Sequence, residues 1–251
     1  MLRAFFFIFF AALVCHAQSY GDAFSIIRLI RRPLSGGDPS EIVRNHRSAR
    51  VPVDVIGVRS LSGVPQSWLL EAHGSFASIE ATDSALAAGA GNSDAGAGGY
   101  ATLVGLLRPG LSYRPADAIK TLPLARYFYV TIFRTKPGSS YEFAELMRLR
   151  NASQDFVNLD RPEIGYQVIS GAESGTYVFL APMQSLSAMD NAIATTWGRS
   201  DAAAHAARQA SNKVASDAEI WREQLLFRVE PRMSYVSETF GGAAPDFWLG
   251  K

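Results

Sequence analysis

Apolar positions along the chain fall into short runs separated by turn residues. "AFSIIRLIRR" (Ala23–Arg32) and "RYFYVTIFRT" (Arg126–Thr135) read as strands. Each leads through a turn to a helix start. Asp38 stands where it can cap the first helix, with Pro39 at the first helical position and Glu41 three residues after the cap. Ser139 and Glu142 stand in the same relation in the second. The helices that follow are "PSEIVRNHRSA" and "SYEFAELMRLRNASQDF". In the latter, Phe143, Leu146, Met147 and Arg150 share one face, a stripe that points at a core. Next come "VPVDVIGVRSLSG" and "RPEIGYQVISGAESG", strands closed by turns near Gly63 and at Gly171–Gly175. "SWLLEAHGSFASIE" and "TYVFLAPMQSLSAMD" each read as strand then helix. "YATLVGLLRPGLSY" and "REQLLFRVEPRMSY" are the last strands.

The pattern therefore runs twice. Its end is marked by a repeated phrase: Pro109, Ser112 and Tyr113 in "RPGLSY" match Pro231, Ser234 and Tyr235 in "EPRMSY", an offset of 122. The offset is 101 between Glu41 and Glu142, and 110 both for Pro52 with Pro162 and for Ser75 with Ser185. Offsets that grow along the chain are what loop insertions in a second copy would leave. Strand, helix, strand, strand, helix, strand is the ferredoxin-like order. In "YFYVTIF", Tyr127, Tyr129 and Phe133 lie on one face, and Phe128, Val130 and Ile132 on the other. Strands apolar on both faces need a cover on the side away from the helices. The simplest cover is the sheet of the other copy. The expected fold is thus α+β, two ferredoxin-like βαββαβ modules packed sheet to sheet as an intrachain α+β barrel. The expected segments are a signal peptide over 1–17, modules over 22–113 and 126–235, a linker over 114–125 and a tail over 236–251.

The stretches "FYVTIFRTKPGSSYEFAELMRLR" and "YQVISGAESGTYVFLAPMQSLSAMD" resemble the dimeric α+β barrel superfamily of antibiotic-biosynthesis-monooxygenase type. In that superfamily two modules pair between chains, so the resemblance implies that this chain is its own pseudo-dimer. It also implies ligand sites between the sheet and the helices of each module. Some members bind haem through a helical histidine, and others oxidise aromatic substrates without a cofactor. His46 lies in the first helix of the first copy, but the second copy has no histidine there. The Asn/Trp/His set of the haem-degrading members is not found in their spacing, and no cofactor is expected.

Composition changes this picture at the N-terminus. Arg3 followed by an apolar run from Ala4 to Val14, and "CHA" before Gln18, form the pattern of a secretory signal peptide. The run is shorter than the roughly 20 residues of a membrane span. The protein is expected to be secreted or periplasmic, with lipid anchoring at Cys15 as the alternative. Cys15 is the only cysteine, so cleavage after Ala17 leaves no disulfide, zinc-thiolate or cysteine-nucleophile chemistry. A net charge of +1 draws the chain to neither nucleic acid nor anionic lipid. "ALAAGAGNSDAGAGG" (Ala85–Gly99) is expected to be a flexible loop, and Asp201 to cap an Ala-rich helix.

Chemistry-bearing groups are sparse. Beyond His16, the histidines are His46, His73 and His205, none in a metal-binding spacing. His46 sits in the basic helix end "RNHRSAR". His73 ends the strand that carries Trp68, Leu70 and Glu71, where it can look into a pocket mouth. His73 and His46 are the candidate proton-handling residues. Trp68, Glu71, Tyr127, Tyr129, Tyr166 and Trp197 are the candidate ligand-binding residues, and no metal ligands are assigned. The expected function is binding of a small apolar or aromatic ligand in a module cavity. The alternatives are a cofactor-free monooxygenase or isomerase-like enzyme, and an interaction protein using the aromatic tail with Phe240, Phe247 and Trp248. Whether such a pseudo-dimer pairs further is left open.

Overall fold

The structure, a computed structural model, describes residues 23–33, 40–89, 101–197 and 202–250. The expected signal peptide and the cap residues Asp38, Pro39 and Asp201 lie outside the described residues, as do the side chains of Trp197 and His205.

The strands are β1 (Ile26–Pro33), β2 (Val55–Ser60), β3 (Gln66–His73), β4 (Ala101–Leu107), β5 (Tyr127–Thr135), β6 (Ile164–Ser170), β7 (Thr176–Met183) and β8 (Glu219–Val229). The main helices are α1 (Ser40–Ala49), α2 (Phe76–Gly89), α3 (Pro115–Thr121), α4 (Ser140–Phe156), α5 (Ser187–Trp197) and α6 (Ala202–Ala218), followed by the short α7 (Glu238–Gly241) and α8 (Pro245–Trp248). Among the described residues the strands close into one antiparallel barrel in the order β1-β3-β2-β8-β5-β7-β6-β4. The protein is α+β, with helices outside a closed barrel. The strands form one continuous hydrogen-bonded wall rather than two sheets stacked face to face, so no long edge is left unpaired.

Alternation decides what each strand buries. Phe128, Val130 and Ile132 of β5 point into the barrel, with Trp68 and Leu70 of β3, Tyr166 and Val168 of β6 and Phe227 of β8. Trp68 packs against Phe227 with ring centroids 4.6 Å apart and planes tilted by 48°. The void left among Leu70, Ile164, Tyr166 and their neighbours is about 10 Å³, no more than one water occupies. On the outer face Phe133, Tyr177 and Phe179 pack against Phe143, Leu146 and Met147 of α4, as the helical stripe predicted.

The two repeated phrases make matching bonds. Ser112 Oγ accepts from the Gly165 N–H at 2.9 Å and donates to the Arg108 carbonyl at 2.9 Å. Ser234 Oγ accepts from the Gly57 N–H at 2.9 Å and donates to the Glu230 carbonyl at 2.9 Å. Tyr113 bridges Glu163, and Tyr235 bridges Val55. So the segment after β4 fastens to β6, and the segment after β8 fastens to β2. A Cβ on Gly57 would lie 2.0 Å from the Met233 carbonyl oxygen, which is why the position is glycine.

Further details of the fold bear on these expectations, some as corrections. These bonds match Val55 with Glu163 and Gly57 with Gly165, two residues away from the register set by Pro52 and Pro162. Ser139 takes the N-cap position of α4, but its side chain makes no capping bond. Ala85–Gly89 extend α2 rather than joining a loop, as alanine's helix propensity favours. Residues 90–100 lie outside the described ones. Residues 114–125 fold as α3 and a 3₁₀ turn, with Ala118 fully buried. The tail docks on its own barrel: Phe240 and Trp248 join the core, and Trp248 Nε1 donates to the Pro123 carbonyl at 2.6 Å. No helix among the described residues is long and apolar enough to cross a membrane.

Candidate functional site

A buried polar cluster lies under α1 and α2, on the outer face of β1 and β3. Successive strand residues face opposite ways, so Trp68 and Leu70 enter the barrel while Glu71 and His73 face the helices. Sheet register places Arg28 of β1 directly beside Glu71 of β3. From α1, His46 is 1% exposed and reaches down to the same carboxylate.

Glu71 has no exposed surface. Its Oε1 accepts from His46 Nε2 at 2.8 Å. Its Oε2 accepts from His73 Nε2 at 3.3 Å and forms an ion pair with Arg28 Nε. Burial on its own would push the carboxyl up. The hydrogen bonds from His46 and His73 and the Arg28 charge outweigh burial and hold Glu71 well below the usual carboxylate range. It is an anion at neutral pH. The outer nitrogens are anchored too: His46 Nδ1 lies 2.7 Å from the Ile42 carbonyl, and His73 Nδ1 lies 3.0 Å from Ser78 Oγ. Arg28 Nη1 reaches across to Asp83 Oδ1 on α2 at 2.5 Å.

Above this floor opens a pocket of about 370 Å³, within the usual range for small-molecule sites. Ile30, Ile42, Leu86 and Ala87 give it apolar walls, and Asn45 and Thr102 add polar groups. A second cleft of about 400 Å³, near Arg114, Lys120 and Asp160, has no buried titratable group in its lining.

The structure thus brings His46, Glu71 and His73 together and separates the other candidates from them. Trp68 and Tyr166 are barrel core, with Tyr166 Oη donating to the Phe24 carbonyl at 3.1 Å and its phenol pushed up by burial. Tyr127 and Tyr129 lie on the far side of the molecule, on the outer face of β5, with the Arg161 guanidinium 4.7 Å above the Tyr129 ring. The Trp197 ring lies outside the described residues. Arg28, Asp83 and Ser78 were not anticipated. The available signal for Arg28 was a charge set between Ile26–Ile27 and Leu29–Ile30, at an outward position.

A haem iron needs an imidazole nitrogen free to ligate it. Both nitrogens of His46 and of His73 are already engaged, so this set does not fit an axial ligand. Among the described residues no group of three His, Cys, Asp or Glu is arranged to hold a metal ion.

No protein-family model matches the sequence, and no curated protein matches it. The structure is similar to that of an anthrone oxidase-like protein, with a TM-score of 0.51, 10% identity, and coverage of 82% of this chain and 91% of that one. It is less similar to a monooxygenase-like protein from Lactobacillus acidophilus NCFM, with a TM-score of 0.48, 8% identity and coverage of 81% and 93%. For chlorite dismutase from Candidatus Nitrospira defluvii in complex with imidazole, the TM-score is 0.49, the identity 10% and the coverage 89% and 98%. At such identities the likeness is one of fold. That fold is an α+β barrel closed by eight antiparallel strands, as among the described residues of this chain.

Proposed function

We propose that the pocket under α1 and α2 binds a small, largely apolar molecule, and that His46, Glu71 and His73 hold its polar floor in place. The observation that carries this is a fully buried carboxylate, fixed by two histidines and an arginine, at the base of a cavity with apolar walls. A carboxylate held so far below neutrality is a weak proton acceptor, since a general base works best with a pKa near the operating pH. Binding is therefore favoured over turnover. The enzyme reading keeps one specific support, which is that two imidazoles meet one carboxylate beside a pocket.

We further infer that the chain is two ferredoxin-like modules in tandem and that the ionic floor belongs to the first. The matched bonds of Ser112 and Ser234 support this. So does register: β1 sets Ile26 and Arg28 against His73 and Glu71, and β5 sets Tyr127 and Tyr129 against Met183 and Ala181. Met147 takes the place of His46, 101 residues on, within an apolar cluster that fills the second half. Where one module has an ionic floor, the other has Tyr129, Met147, Ala181 and Met183. An exported protein with a cleaved leader is part of the same reading, carried by the N-terminal pattern alone.

The test is native mass spectrometry with an absorbance spectrum from the protein made in its own host, followed by binding of small aromatic probes to the wild type and to Thr102→Trp. Thr102 is an exposed residue at the pocket, so the variant blocks access without disturbing the core. Binding that Thr102→Trp abolishes supports the site. Binding that survives it unchanged places the ligand elsewhere, and chemical conversion of a bound probe favours the enzyme reading.

A further inference from the structure

We propose that the ligand of this pocket is a carboxylic acid with an apolar body, its carboxylate seated on Arg28 in the place now held by Asp83. The inference rests on the pocket being a binding site, as argued above.

Arg28 has five N–H donors. One goes to Glu71 and one to Asp83, so three have no acceptor among the described residues. Its side chain is only 11% exposed, and it lines the pocket. A guanidinium with idle donors in a mostly apolar wall calls for acceptor oxygens from whatever fills the cavity.

The two carboxylates on Arg28 differ. Glu71 is sealed in and held by two further donors, so it stays. Asp83 has a side chain 58% exposed, and it can turn to water at little cost. Once it does, the Arg28 guanidinium, which lines the cavity, keeps its donors for the carboxylate of a ligand. Ile30, Ile42, Leu86 and Ala87 meet the rest of the molecule. Asp83 acts as a placeholder that keeps the guanidinium paired while the pocket is empty.

Calorimetric titration with phenylacetate and its neutral isostere phenylacetamide tests this. The wild type should bind the acid about tenfold more tightly than the amide, the ratio expected for one charge-assisted contact. Asp83→Ala removes the competing carboxylate from an exposed helix position. It should tighten phenylacetate roughly threefold to tenfold and leave the amide within about twofold. Equal binding of acid and amide, or a weaker acid in Asp83→Ala, overturns the carboxylate assignment and leaves the pocket reading standing. No binding of either probe up to about 10 mM overturns both. Equal tightening by Asp83→Ala of both probes would make Asp83 a steric gate, which also sinks the inference.

Discussion

Glu71→Gln is the most direct challenge to the ionic floor. The substitution keeps the shape of the side chain and removes its charge. Arg28, 11% exposed, and His46, 2% exposed at its side chain, would then face each other with no buried anion between them. Deleting one partner of a buried ion pair costs about 3–5 kcal/mol, because the remaining charge cannot regain its water. At about 2–4 °C per kcal/mol for a domain of this size, the melting temperature should fall by about 6–20 °C. Urea denaturation at pH 7 gives the free energy, and calorimetry gives the midpoint. Arg28→Met alone should cost a similar amount, and the double variant should lose clearly less than the two together, since one unpaired charge is then removed with the other. A loss below about 1 kcal/mol for Glu71→Gln would refute the reasoning, as would simple additivity with Arg28→Met.

Glu71 also sets a pH dependence. Its folded carboxyl is held below the usual range, so its stabilisation is complete above the ordinary value of about 4.3 and is lost as the pH falls from there toward the folded value. The stability gap between wild type and Glu71→Gln should therefore be constant from pH 6 to 8 and shrink steadily as the pH falls below about 4. A gap at pH 2.5 as large as that at pH 7 would show that the charge is not its source. The barrel closure offers a separate test. Ser112→Ala and Ser234→Ala each leave a buried glycine N–H without its acceptor, at about 1–3 kcal/mol, and the two costs should be similar and additive. Unequal costs in urea titrations would mean that the two fastenings are not equivalent.

Much of the wall was legible because period-two alternation is a local property. "YFYVTIF" states which residues enter the barrel, and the helical stripe of Phe143, Leu146 and Met147 states what α4 covers. The site was half legible. His46, Glu71 and His73 could be picked out as polar groups with little else around them. Their meeting could not, because it depends on register between β1 and β3 and on the depth at which α1 sits. Grouping Trp68 with Glu71 overlooked the alternation itself, since residues three apart on a strand face opposite ways. Aromatic side chains drew attention as ligand contacts, but a barrel this full needs Trp68 and Tyr166 as filling. Arg28 was one of three arginines in its strand, with Arg31 and Arg32, and Asp83 lies on another element altogether.

The crossed fastening of the barrel has a consequence for how the chain is made. Gly57 meets Ser234 across 177 residues, so β2 waits for nearly the whole protein before its outer edge is covered. At ordinary rates of synthesis that delay is roughly 9–35 s. Contacts at such separation also slow the folding step itself. The pocket over Glu71 stands on β3, whose neighbour is that waiting strand. A chain cut short before Glu219 would own every residue of the pocket and still present β2 as an open edge. Such a fragment would sooner pair with another chain than bind a ligand.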